Sequence, residues 1–216
     1  MIHQEKIELL KESLFEMIHV SDYSVTYKKT DKNIWGTNAT GGILGFPSTV
    51  ILFSAIDCLG SVFSGNNKYK ITIDGHEHTI KNTSQHIYIL NSKYFNLELS
   101  LIDLSNIYNN IRSTLTHNSL LPEGYNLQPG ENEKLPFNIA INENDKRIYF
   151  VNVVPLFRAT KNAIETFILD INIGQIDFDN SRIHQDIEKR DAKTPIHYDP
   201  SKPGQFTIFI KEWIKK

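Results

Sequence analysis

The chain has 216 residues, of which 40% are hydrophobic and 22% charged, enough apolar material for one sizeable core and too much for wholesale disorder. A net charge of -2 excludes nucleic-acid binding driven by an overall basic excess, so any contact with RNA must be local. The single cysteine, Cys58, excludes an internal disulfide framework and fits a reducing compartment. Residues 1–11 are charged with no apolar stretch of leader type, so the expected location is the cytoplasm, away from a membrane.

Ile7, Leu10, Leu14, Met17 and Ile18 recur at helical spacing and predict an amphipathic helix over residues 3–19, followed by a polar, β-leaning stretch. Gly36, Gly41, Gly42 and Gly45 mark a loop, and Pro47-Ser48 resembles a helix start. From there Val50, Ile51, Phe53, Ile56, Leu59, Val62 and Phe63 surround the helix on nearly every side, the pattern of a buried central helix. The apolar stretch 48–63 is short for a membrane span and contains Asp57.

Tyr69, Ile71 and Ile73 alternate with polar residues up to Asp74-Gly75, a two-residue turn, so residues 68–81 predict a β-hairpin. Leu97, Leu101, Leu104, Tyr108, Ile111 and Leu115 step by three and four, an apolar seam on one long helix that starts near Tyr94. Pro, Gly, Asn and Glu crowd residues 120–136, the composition of an exposed loop. Segments 137–141 and 147–151 flank a polar turn and predict a second hairpin, and Asn152 with Pro155 marks the start of a helix carrying Phe157, Ile164, Phe167, Ile168 and Ile171. Residues 173–216 read as loosely structured, with a strand signal at Phe206, Ile208 and Ile210. The expected fold is a mainly helical α+β single domain with the two hairpins as additions.

Chemistry concentrates at Arg112-Ser113-Thr114-Leu115-Thr116-His117, where four residues separate a fixed cation from a group that titrates near neutral pH. That pairing suits phosphate chemistry, with a guanidinium holding the anion and an imidazole moving a proton. On an unbroken α-helix the two side chains would stand roughly 140° apart. Thr114 and Thr116 are poor helix formers and Asn118-Ser119 favours termination, so the helix is expected to loosen near Leu115 and let both turn to one surface. The structural alternative is that both cations only complement the carbonyl end of the helix.

On this motif, with the helix before it and the buried helix from Ser48, about half the chain resembles the HEPN superfamily, whose bundle helices carry an arginine, four to six intervening residues and a histidine. The residue after the arginine, Ser113, departs from the Asn, Asp or His common there. The resemblance implies a HEPN-like helical bundle and a metal-independent endoribonuclease that forms a homodimer, with RNA as substrate and an antitoxin as a partner. By the same resemblance Arg112 binds the scissile phosphate and His117 acts as general acid or base, a step typically worth about 10² to 10⁴ in rate. No cofactor is implied. The alternative is a non-catalytic HEPN-like module for binding or dimerisation.

His76 and His78 lie two apart on a strand and share a face, so with a third ligand such as His86 or Glu77 they would suit a metal; the ordinary reading is a packed or exposed hairpin. Thr40-Gly41-Gly42-Ile43-Leu44-Gly45 lacks the Lys-Ser/Thr of a phosphate-binding loop and reads as a tight lead-in to the buried helix. Cys58 sits among apolar residues and reads as a small hydrophobe.

Overall fold

The computed structural model describes residues 2–37, 41–118 and 120–176. The loosely structured segment and the strand expected beyond residue 176 lie outside them. The architecture is α+β and mainly helical.

Helix α1 spans Ile2–Thr26, longer than its apolar periodicity indicates. The extra two turns are helical because Ser24 and Thr26 donate their hydroxyls back to the carbonyls of Val20 and Asp22, at 2.9 and 2.8 Å. Ser21, Ser24 and Val25 are also buried, so packing overrides the β-leaning composition expected there. A short helix α2, Lys32–Trp35, follows. The Gly41 amide donates to Lys29 and the Lys29 amide donates to Gly42, closing the loop tightly before the next helix.

Helix α3, Gly45–Val62, is the axis of the fold. It packs against α1, against a run of 3-10 turns at Thr83–Asn91 and against helix α6, Val153–Asn172. By length and composition α3 is apolar enough to cross a membrane, and half of it is buried inside the fold. Its tightest contact is at Gly60, where a Cβ would stand 2.3 Å from the carbonyl oxygen of His86. Only glycine lets the 3-10 backbone approach so closely.

Strands β1, Ile71–Ile73, and β2, His76–His78, pair antiparallel as expected, with Ile73 opposite His76 and Ile71 opposite His78. Asp74 and Gly75 both take positive φ, 50° and 78°, the left-handed turn that Asp-Gly favours. The Asp74 carboxylate also accepts from the Leu101 amide at 2.9 Å, tying the hairpin turn to the first turn of the next helix.

That helix begins at Leu101 and not near Tyr94. Asn96 and Glu98 occupy left-handed φ, which helical backbone does not permit, and Ser100 caps the start by accepting from the Asp103 amide. The rod then runs as α4, Leu101–Asn106, a π-helical stretch at Ile107–Arg112 and α5, Ser113–Asn118. Leu104, Ile107, Ile111 and Leu115 of the predicted seam are buried, whereas Leu101 is 38% exposed because the helix has only just begun.

The expected loop at 120–136 contains a strand, β3, Tyr125–Gln128, parallel to β5, Arg147–Asn152; β4, Phe137–Ile141, pairs antiparallel on β5's other side. The sheet order is therefore β3-β5-β4. The second hairpin lies where predicted, but it is no peripheral addition: Tyr149 and Val151 are core residues and Phe137 packs on Phe53 of α3 with ring centroids 6.4 Å apart. At the junction of β5 and α6 the buried Asn152 donates to Leu135 and accepts from Gln128, at 2.7 and 2.6 Å. One cluster of buried side chains runs from Leu14 to Ile168.

Candidate functional site

Arg112 ends the π-helical stretch, and its guanidinium turns toward the middle of α3. Nε donates to Asp57 Oδ2 at 2.6 Å and a terminal nitrogen contacts the same oxygen. The Tyr108 ring lies 5.3 Å from the guanidinium carbon, so the cation is flanked by a carboxylate and an aromatic face. The two charged side chains are 22% and 13% exposed. Burial pushes the Asp57 carboxyl above its ordinary value, a pull that Arg112 opposes through charge and hydrogen bonding without cancelling it. Asp57 Oδ1 is buried with no hydrogen-bond partner among the described residues, so the pair satisfies only one carboxylate oxygen.

His117 lies elsewhere. The helix does not loosen near Leu115: α5 continues through Asn118 with the threonines accommodated in it. Thr114 donates to the carbonyl of Asn110 and Thr116 donates to that of Arg112 at 2.7 Å, capturing carbonyls four residues back. With five regular steps between them, Arg112 and His117 keep the roughly 140° separation of an α-helix. Arg112 faces α3, and His117 is exposed, without a hydrogen bond or ion pair to the described residues. One chain therefore does not join the guanidinium and the imidazole in a single pocket.

Next to this helix lies a polar cluster that the sequence reading missed. Asp103 Oδ1 accepts from Tyr149 Oη at 2.8 Å and from Arg147, and Oδ2 accepts from Ser100 Oγ. Asn106 donates to Tyr149 Oη and Asn110 to Tyr125 Oη, both at 2.8 Å, and the two tyrosine rings stack 5.0 Å apart. Burial pushes the Asp103 carboxyl up, but its hydrogen bonds from Ser100, Tyr149 and Arg147 together hold it below the ordinary carboxylate value. Its members bond to one another across the helix and the strands, so the cluster fastens the helix to the sheet. The spacing Ser100-x-x-Asp103 was its one legible trace.

His76 is exposed, and His78 sets its ring edgewise on Tyr88 at 6.0 Å. Among the described residues no group of three His, Cys, Asp or Glu side chains comes together as a metal site. The thiol of Cys58 is pushed up to about 11 by burial and by neighbouring Asp57, which leaves it protonated and weakly nucleophilic near neutral pH.

No family model matches the chain, and comparison with curated proteins and with solved structures likewise finds no match.

Proposed function

We propose that the chain is a HEPN-like module for binding or dimerisation, in which the arginine of the motif serves the packing of its helix. The observation that carries this is the closure of Arg112 on Asp57: the cation that would hold a phosphate already holds a carboxylate at 2.6 Å. An arginine engaged in this way has part of its fork and most of its charge already taken by Asp57, and a phosphate reaching its remaining N–H groups would stand beside that carboxylate.

A second reading, metal-independent cleavage of RNA with Arg112 on the phosphate and His117 as general acid or base, draws on the exposure and freedom of His117. It requires a homodimer, because the complementary group must come from another chain. An antitoxin partner belongs to this second reading.

One experiment separates them. The purified chain is sized by light scattering and incubated with RNA in EDTA, wild type beside His117→Ala and Arg112→Ala. A dimer that leaves RNA intact supports the binding module. Cleavage lost in His117→Ala establishes the enzyme and overturns the module. A monomer that neither cleaves RNA nor binds it removes both.

A further inference from the structure

The hairpin β1–β2 leads to a feature that the motif helix does not use. Where the end of α3, the start of the hairpin, the segment after the 3-10 turns and the end of α6 meet, a cavity of ≈ 850 Å³ opens to solvent, within the size range of small-molecule sites. We propose that this cavity binds a small ligand made of a planar aromatic ring and one anionic group, a carboxylate or a phosphate.

The aromatic half of the argument is Tyr69. Phe63 stacks on it with ring centroids 3.8 Å apart and planes inclined by 17°. Phe63 is in turn held by Tyr94 and Phe167 at 5.8 and 6.2 Å. Phe63 and Tyr69 both line this cavity and Tyr69 also lines a second one of ≈ 600 Å³, so the stacked pair borders open space. An aromatic surface held in place from one side is a stacking platform that costs little ordering when a ligand arrives.

The anionic half is a positioned lysine with a free one beside it. Lys93 Nζ sits 2.5 Å from Asp170 Oδ2, and the same oxygen accepts from Tyr94 Oη at 2.9 Å. The ammonium also lies 5.2 Å from the centre of the Tyr94 ring. Its position is set from two directions, yet its side chain is 54% exposed, and an ammonium has three hydrogens to give where Asp170 takes one. Lys68, exposed on the same wall, has no ion pair among the described residues. The cavity is lined by two lysines and no carboxylate, and with Asp170 behind Lys93 counted in, one positive charge remains. The side chains of Asn67 and Gln175 also line the cavity and hydrogen-bond to no described residue, so polar edges of a ring can be met as well.

The test is calorimetric titration of the full chain with four probes: adenosine 5′-monophosphate, indole-3-carboxylate, adenosine and inorganic phosphate. At least one of the first two should bind about tenfold more tightly than adenosine and phosphate, which carry only one half of the chemistry each. Binding of either one carries the proposal, and the pair together samples both anion classes. Tyr69→Leu should weaken the bound probe about tenfold. Lys68→Ala, an exposed change that leaves the fold intact, should weaken it about threefold and reduce its salt dependence. Failure of both ring-bearing anions to saturate the protein at about 1 mM overturns the proposal. So does equal binding of adenosine, or affinity unchanged in both variants.

Discussion

Arg112→Ala is the most informative single change in this protein. It leaves the Asp57 carboxylate, 13% exposed, in the wall of the most apolar helix without a cation, and its Oδ1 already lacks a partner. Breaking a fully buried pair costs about 3–5 kcal/mol and an exposed pair under about 1. Partial exposure places this pair between them, at about 1–3 kcal/mol, or about 2–12 °C in melting temperature for a chain of this size. Asp57→Ala should cost less, about 1 kcal/mol, because the freed guanidinium can swing into water. The double variant should then be more stable than the two single losses predict, by a coupling of about 1–2 kcal/mol.

The pH dependence has a definite sign. A carboxyl whose folded value is raised above its unfolded one favours the folded state below the unfolded value, and that stability is lost as pH rises through the folded value. Burial already raises Asp57, and without Arg112 nothing opposes it. The deficit of Arg112→Ala should therefore shrink as pH falls from neutrality toward the carboxylate range. Urea midpoints from pH 8 to pH 4 measure it. A loss under about 0.5 kcal/mol, or one that does not change with pH, would show that the pair does not hold the helix.

Gly60→Ala should destabilise by about 3 kcal/mol or more, or prevent folding, since its Cβ would meet the His86 backbone at 2.3 Å and backbone cannot swing aside; soluble yield and urea midpoint report it. Tyr149→Phe removes the hydroxyl that bridges Asn106 and Asp103 and should cost about 1–2 kcal/mol in urea unfolding. Asp103 has a lowered folded value, so its contribution is complete above the unfolded value and is lost as pH falls through the folded one; Tyr149→Phe should make the acid limb of the stability curve shallower. Asp74→Ala gives up both a left-handed turn residue and the acceptor for the Leu101 amide, and should cost about 1 kcal/mol by thermal melt, with Asp74→Asn losing less.

Local chemistry was legible wherever one element decides its own geometry. Asp74-Gly75 specifies its turn because both residues tolerate positive φ, and the apolar runs announced α3, α6 and the seam through Leu104, Ile107, Ile111 and Leu115. A lone aspartate in an apolar helix also signals a buried cation somewhere, since an unpaired charge there is costly. The sequence reading used Asp57 only against a membrane span, and nothing in the segment names Arg112 as its partner.

The rest depended on contacts distant in sequence. Strand β3 pairs parallel with β5 across an interval that looks like loop, because Pro122, Gly124, Pro129 and Gly130 mask a four-residue strand whose ladder partner lies more than twenty residues away. Thr114 and Thr116 oppose helix by intrinsic preference, yet their hydroxyls return to backbone carbonyls and the rod persists to Asn118. By itself the sequence determined the long helices in outline, the two hairpins and the presence of an arginine and a histidine five positions apart. Tertiary structure alone decided that Arg112 faces Asp57 while His117 faces solvent, because a side chain's direction follows from helix phase and from the charge on the neighbouring helix, and neither can be read from spacing within one segment.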